Sequence, residues 1–506
     1  MADGPQDRAD VVTPLPLIAD LLAALHRRGV RYCHWKSTPS IGVALQGRTD
    51  LDLLVDRRHG SEFATTIRQV GFKPFISSAA RRFPGVEDHI GHDEGSGRLV
   101  HLHVYFQLIL GEEHVKNHRL PLEQAFLDGA RERDGIMVPP PALELTVLGL
   151  RILLKYRETD ALKDVLGLGR RGGIPPDARR ELLALCEQVT DAELRTAMAK
   201  NLPAVDPDLV PQLLAVVETN ARDAWALRRL RGRARSGLRS FERLPRHQAV
   251  WASLRARIPR TPPLRLVIRS LTRSNLRRKT PAGGGLTVAV VGPDGAGKST
   301  IIAGLREWLA WRVNVREYYL GSARPSRRTR TLRAASRATR VAARRAPAIG
   351  PLTLLASVVT AARYLGDARD RAERVRAGRS LAARGAVVIF DRFPLPGVRV
   401  GDREMDGPRI PTIPGWEDRS ILRAMGERER ELYAAIPPPD HIIWLSLDPA
   451  VALARKPNRL PGSVEEKARA LEQASLEHLA PVTRVDAAQP LEDVLRTVRH
   501  AIWHLL

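Results

Sequence analysis

The segment Gly292-Pro-Asp-Gly-Ala-Gly-Lys-Ser-Thr300 holds residue types that can grip a phosphate, at the spacing G-x-x-x-x-G-K-[ST]. Gly292, Gly295 and Gly297 let the backbone N–H groups of Ala296 and its neighbours converge on phosphate oxygens. A helix starting near Thr300 adds the positive end of its dipole. In such a loop Lys298 bridges the β- and γ-phosphates, and the Ser299 hydroxyl is a ligand for Mg²⁺. The expectation is a nucleoside triphosphate site over residues 292–300. A second chemical cluster is Asp50-Leu-Asp52. If residues 50–56 are a strand, both carboxylates share one face and repel each other unless a cation or basic group lies between them. Asp50 and Asp52 are therefore candidate ligands for a hard divalent ion. A third candidate is Asp391, at the end of the apolar run Ala386-Val-Val-Ile-Phe390 and followed by Arg392. An acid at the end of a buried strand beside a phosphate loop can organise the same Mg²⁺.

These groups require a frame. The apolar run Leu286–Val291 reads as a buried strand, and Ile301, Ile302, Leu305, Trp308 and Leu309 as one face of the following helix. Residues 313–320, 385–391, 441–448 and 483–486 read as further strands separated by helices, which predicts a parallel, doubly wound α/β sheet. The N-terminal part reads differently. A helix over 15–29 precedes strands near 30–37 and 50–56, and residues 140–214 are helical. That pattern predicts an α+β domain with a helical appendage. Between the halves, residues 228–279 carry sixteen arginines and one acid, Glu242, with four prolines. The resulting plan is an α+β domain over 1–139, a helical appendage over 140–220, a basic linker over 221–285 and an α/β domain over 286–506.

A chain of 506 residues exceeds one core, and two or three domains follow. The formal net charge of +25 suits a polyanionic partner, nucleic acid or an anionic membrane among them. A GC-rich coding bias would also enrich arginine. Residues 322–347 repeat the theme with nine arginines and no acid. Scarce aromatics leave little for stacking on bases, which favours solvated connectors over nucleic-acid binding. Two cysteines, Cys33 and Cys186, imply no disulfide framework. No pattern of a signal peptide or membrane span stands out, so a cytoplasmic protein is expected.

The C-terminal half resembles the thymidylate kinase family of P-loop nucleoside monophosphate kinases. The resemblance rests on Gly292–Thr300 with Asp294 inside it, Asp370-Arg371, Asp391-Arg392-Phe393, Pro439–Pro449 and Ala454-Arg455-Lys-Pro-Asn-Arg459. It implies ATP with Mg²⁺ as phosphoryl donor, a nucleoside monophosphate as acceptor, and a P-loop fold, with a homodimer as one possible assembly. By position, Asp294, Arg371 and Arg392 would face the acceptor, Asp391 and Ser299 the metal, and Arg455 and Arg459 would close over the transferring group. Three departures bear on the acceptor. Asp367 stands where the family has a ring to stack on thymine, Pro394-Leu-Pro396 follows the Asp-Arg-Phe signature, and Val400–Arg409 replaces an Ala-Tyr-Gln segment. The related acceptor would then be another phosphorylated or hydroxylated small molecule.

Residues 15–165 are similar to the nucleotidyltransferase superfamily through Lys36-Ser37, Asp50-Leu-Asp52 and His101-Leu-His103. Ser37 replaces the expected glycine and His101 the expected third carboxylate, which points to a degenerate domain. The function expected overall is ATP-dependent phosphorylation of a small molecule. The alternative is a nucleotide-binding NTPase-type regulator.

Overall fold

The computed structural model describes residues 13–112, 115–156, 174–219, 224–257, 278–455 and 461–506. The chain divides into two compact units, Met1–Arg277 and Arg278–Leu506.

In the first unit, five strands are ordered β1-β2-β5-β4-β3: β1 (Tyr32–His34), β2 (Leu51–Val55), β3 (Lys73–Ile76), β4 (Val86–Asp93) and β5 (Arg98–Tyr105). β2 and β5 run parallel, and the other pairs are antiparallel. One face buries Leu51, Leu53, Val55, Val100, Leu102 and Val104 against helix α1 (Pro16–Arg27) and helix α2 (Gly60–Val70). Alternation sends Leu54 and Tyr105 to the opposite face, where they join the core of a helical bundle. That bundle begins with α3 (Pro141–Lys155), α4 (Pro176–Cys186), α5 (Asp191–Asn201) and α6 (Leu209–Glu218).

The basic stretch expected as a linker is folded over much of its length. Helix α7 (Ala224–Gly237) buries Leu227, Leu230 and Ala234 against α3 and α6, and Leu238 just beyond it is buried in the same core. Its arginines occupy the other side. Apolar spacing of three and four residues decides the burial, and charge at the remaining positions does not oppose it. Helix α8 (Arg246–Arg257) follows.

The second unit holds a five-stranded sheet, all parallel: β6 (Leu286–Val291), β7 (Val315–Tyr319), β8 (Val387–Asp391), β11 (His441–Ser446) and β12 (Val482–Asp486). The spatial order is β7-β8-β6-β11-β12. All five residues of β8 and all six of β6 are buried, as expected for strands covered on both faces. Helix α9 (Lys298–Ala310) follows the glycine loop. Helix α10 (Arg327–Arg345) and the long α11 (Gly350–Ala382) pack as a hairpin. A short β-hairpin, β9 (Leu395–Val400) with β10 (Arg403–Met405), is inserted after β8. Helices α12 (Ser420–Ala434), α13 (Pro449–Arg455), α14 (Pro461–Glu472) and α15 (Leu491–Leu505) complete the unit. This is the doubly wound arrangement read from the alternating pattern. It places the ends of β6 and β8 at the crevice where the chain reverses direction across the sheet.

Candidate active site

The loop after β6 is shaped by backbone demands that only glycine meets. Gly295 has φ +98°, and a Cβ there would lie 2.9 Å from the Ala452 carbonyl oxygen. Gly292 is tighter, with a Cβ placed 2.6 Å from the Leu445 carbonyl oxygen. Lys298 opens α9 and folds its side chain back over the loop. Its Nζ donates to the carbonyl oxygens of Gly292 at 2.8 Å and Pro293 at 2.7 Å. Burial and the neighbouring Arg392 push its ammonium down to about 8.

Beyond β8, Arg392 takes φ +68°, a left-handed conformation uncommon for arginine. That turn aims the guanidinium at Asp294, Nη2 to Oδ1, at 2.9 Å. The second oxygen of Asp294 accepts from Lys467 of α14 at 2.9 Å. The two cations hold the Asp294 carboxyl well below the usual range in spite of its burial. Arg392 also faces Asp406, at 3.8 Å.

Asp391 is different in kind. It is 7% exposed, and burial raises its carboxyl above the ordinary value although Arg392 and Lys298 are near. Among the described residues its side chain has no hydrogen-bond or ion-pair partner. It lines a recess of about 510 Å³ together with Gly295, Ala296, Gly297, Lys298, Ser299 and Thr300. A desolvated carboxylate and a serine hydroxyl facing one recess are hard oxygen donors and fit a divalent cation.

Arg455 lines the same recess, and its Nη1 donates to the Ala487 carbonyl at 3.0 Å. Arg459 lies outside the described residues. A second, smaller recess of about 100 Å³ adjoins the first and shares Asp294, Lys298 and Arg392 with it. Its far wall is the β9–β10 hairpin, with Arg403, Glu404 and Asp406, and it includes Arg409 and Lys467.

Arg371, expected to face the acceptor, lines neither recess. It is 2% exposed, donates from Nε to the Leu320 carbonyl at 2.7 Å and from Nη1 to the Asp406 carbonyl at 2.9 Å, and also bonds the Tyr433 hydroxyl. Asp367, at the position of the missing ring, pairs with Arg333 at 2.6 Å. Reading from the sequence missed Lys467, Asp406, Arg403 and Arg409. The replaced segment Val400–Arg409 gave a hint of Arg403, Asp406 and Arg409, and nothing pointed to Lys467.

In the first unit, Asp50 and Asp52 do share one side of the sheet, as alternation requires. A further acid, Asp88 of β4, lies opposite His103 in the β4–β5 register. His101 lies between two acids, Nδ1 2.8 Å from Asp50 and Nε2 3.0 Å from Asp88. Asp52 is met by Lys36 at 2.7 Å and by His103 at 3.1 Å. Lys36 and His103 hold its carboxyl well below the usual range despite burial. Ser37, in the place of the expected glycine, adopts a left-handed φ of +62°. With a ring nitrogen or an ammonium on each acid, the side chains as placed form a hydrogen-bonded cluster and not an open oxygen cage for Mg²⁺.

The chain is 29% identical over 235 residues to the "Uncharacterized ATP-binding protein YghS" of Escherichia coli strain K12, an alignment covering 42% of this chain and 91% of that protein. It is 28% identical over 232 residues to the "Uncharacterized ATP-binding protein YghR" of the same strain, covering 42% and 86%. No protein-family model matches the chain. Among solved structures, the deoxyadenosine kinase of M. mycoides with bound dCTP overlaps 43% of this chain and 98% of its own, at 13% identity and a TM-score of 0.27. An overlap that loose does not by itself define a shared fold. Among the described residues, no helix is long and apolar enough to cross a membrane.

Proposed function

We propose that the second unit transfers the γ-phosphoryl group of ATP to a phosphorylated small molecule, with ATP in the larger recess and the acceptor in the smaller. The observation that carries this reading is the meeting of the two recesses at Lys298, Asp294 and Arg392. A donor phosphate on the loop and an acceptor group against Arg392 would lie on either side of one cationic pair. Similarity to ATP-binding proteins of Escherichia coli supports the donor assignment.

Lys298 would exchange its loop carbonyls for phosphate oxygens, which restores the stability of its charge. Arg392 and Lys467 would neutralise the acceptor's phosphate, and Asp294 would hold both in place. Ser299 and Asp391 would hold Mg²⁺, whose charge screens the phosphates from one another. Arg455 stands at the rim, able to leave the Ala487 carbonyl for the transferring group.

The nucleoside monophosphate class follows from the thymidylate kinase resemblance, but thymidylate itself is disfavoured here. The Asp367–Arg333 ion pair fills the position of the stacking ring, which forfeits about 1–3 kcal/mol of base binding. Nucleoside monophosphates and sugar phosphates should be screened for acceptor-dependent formation of ADP. Turnover with one of them, abolished in Lys298→Ala, supports the kinase. Phosphate release that needs no acceptor supports the NTPase-type regulator instead. If ATP with Mg²⁺ neither turns over nor shifts the melting temperature, the site assignment fails.

A further inference from the structure

The hairpin of α10 and the first half of α11 is built inside out. Its seam is small and polar: Ser336 Oγ and Thr360 Oγ1 lie 3.0 Å apart, both are buried, and Ala356 one turn away is buried as well. At its base, Arg333 pairs with Asp367, and the Ser326 backbone N–H donates to Asp370 at 2.8 Å. These contacts set an antiparallel register. Five residues on from Ser336 and five back from Thr360 bring Val341 level with Leu355. Here the large aliphatic side chains point outward. Val341 is 49% exposed, Ile349 52%, Leu354 37% and Leu355 50%. A helix pair folding on its own apolar stripe would show the reverse.

The patch is ringed by cations. Arg337, Arg340, Arg344 and Arg345 are exposed, and among the described residues none of them pairs with an acid. From Tyr318 to Gly366 the chain holds ten arginines and no aspartate or glutamate.

We propose that the tip of this hairpin docks on an anionic lipid surface, with Val341, Ile349, Leu354 and Leu355 at the headgroup–acyl boundary and the arginines on lipid phosphates. Arginines alone would suit any polyanion. The exposed aliphatic residues add nothing to a nucleic-acid backbone contact, and no aromatic ring stands among them to stack on a base. A second copy of the chain fits poorly, because a two-fold contact lays the patch on itself and brings arginine against arginine. A surface that is apolar at its centre and basic at its margin matches a charged membrane interface in both respects.

The test is co-sedimentation of the full chain with vesicles of phosphatidylcholine alone, or with roughly a third phosphatidylglycerol. Binding to the anionic vesicles, weakening as salt rises, is expected, with little binding to the neutral ones. Each arginine near such a surface is worth about a factor of five in partitioning, so Arg344→Glu with Arg345→Glu should lower it by about 25-fold or more. Leu354→Ser with Leu355→Ser should lower it about tenfold while leaving the nucleotide-induced melting shift unchanged. Equal binding to both vesicle types would overturn the proposal. So would unaltered binding of the leucine variant together with comparable binding to duplex DNA, which would mark a general polyanion site. A dimer that the leucine variant abolishes, with no vesicle binding by the wild type, would assign the patch to a second copy.

Discussion

Replacing Lys298 with methionine should move stability and nucleotide binding in opposite directions. The ammonium is buried and pushed down to about 8 from its ordinary 10.5. At neutral pH that gap corresponds to about 3 kcal/mol of unfavourable charging in the folded state. Methionine removes the charge while keeping the length and apolar bulk of the side chain. It also takes a donor away from the Gly292 and Pro293 carbonyls, at about 1 kcal/mol each. The balance is a gain of about 1 kcal/mol, or roughly 2–4 °C for a unit of this size. Saturation changes the order. Nucleotide at a hundred times its Kd adds about 2.7 kcal/mol to a protein that binds it and nothing to one that does not.

The assay is a thermal melt followed with and without ATP and Mg²⁺. Without nucleotide the variant should melt higher, and with nucleotide the wild type should. Below pH 8 the lysine is charged in both folded and unfolded chains, so its cost is fully present. Between about 8 and 10.5 the unfolded chain binds the extra proton, stability rises with pH, and the gap between the proteins closes. A variant that melts lower than wild type without nucleotide, yet keeps the ATP shift, would refute the role given to this lysine.

Three further outcomes are expected. Glu144 accepts from the Thr38 backbone N–H at 2.9 Å, and burial pushes its carboxyl up to about 7. Its folded form binds more protons than the unfolded one between about 4.5 and 7, so stability falls across that window; Glu144→Gln should melt higher than wild type at pH 8 and no higher at pH 5. Asp391→Asn removes a desolvated carboxylate that has no partner among the described residues, so it should melt no lower than wild type while kcat falls by about a hundredfold or more, read from ADP formation. His101→Asp replaces the ring between Asp50 and Asp88 with a third like charge, so it should lower the melting temperature of the first unit, and millimolar Mn²⁺ should recover part of the loss while leaving wild type unmoved.

The part of the site that could be read from the sequence is the part fixed by local backbone chemistry. Gly292 to Thr300 lie within nine residues, and each is constrained by the loop conformation itself. Asp391 was legible because a buried strand must end somewhere, and an acid there is conspicuous. Lys467 was not, because it reaches Asp294 from a helix late in the chain and no local pattern announces the pairing. Asp88 was missed for a related reason: cross-strand register, not sequence spacing, sets it opposite His103. The helix Ala224–Gly237 was legible in principle through Leu227, Leu230, Ala234 and Leu238. Its arginine content drew attention to the wrong face.

Arg371, expected from the resemblance to face an acceptor, is instead occupied within the protein. Its guanidinium is committed to the Leu320 and Asp406 carbonyls and to Tyr433, so moving it toward a ligand would leave those acceptors without a donor in a buried setting. What it does reach is the backbone of Asp406, whose carboxylate faces Arg392 in the smaller recess. Arg371 is therefore a positioning residue: it holds the segment that follows the β9–β10 hairpin against the end of β7. Glu429 acts on the same segment from α12, accepting the Arg409 and Ile410 backbone N–H groups at 2.9 and 2.7 Å. The wall opposite the glycine loop is thus fixed from behind by two buried charged groups, while its front presents Arg403, Glu404 and Asp406 to the smaller recess. On the proposed reading, such a wall would select its acceptor by charge and hydrogen-bond pattern, which a compact polar phosphate ester offers.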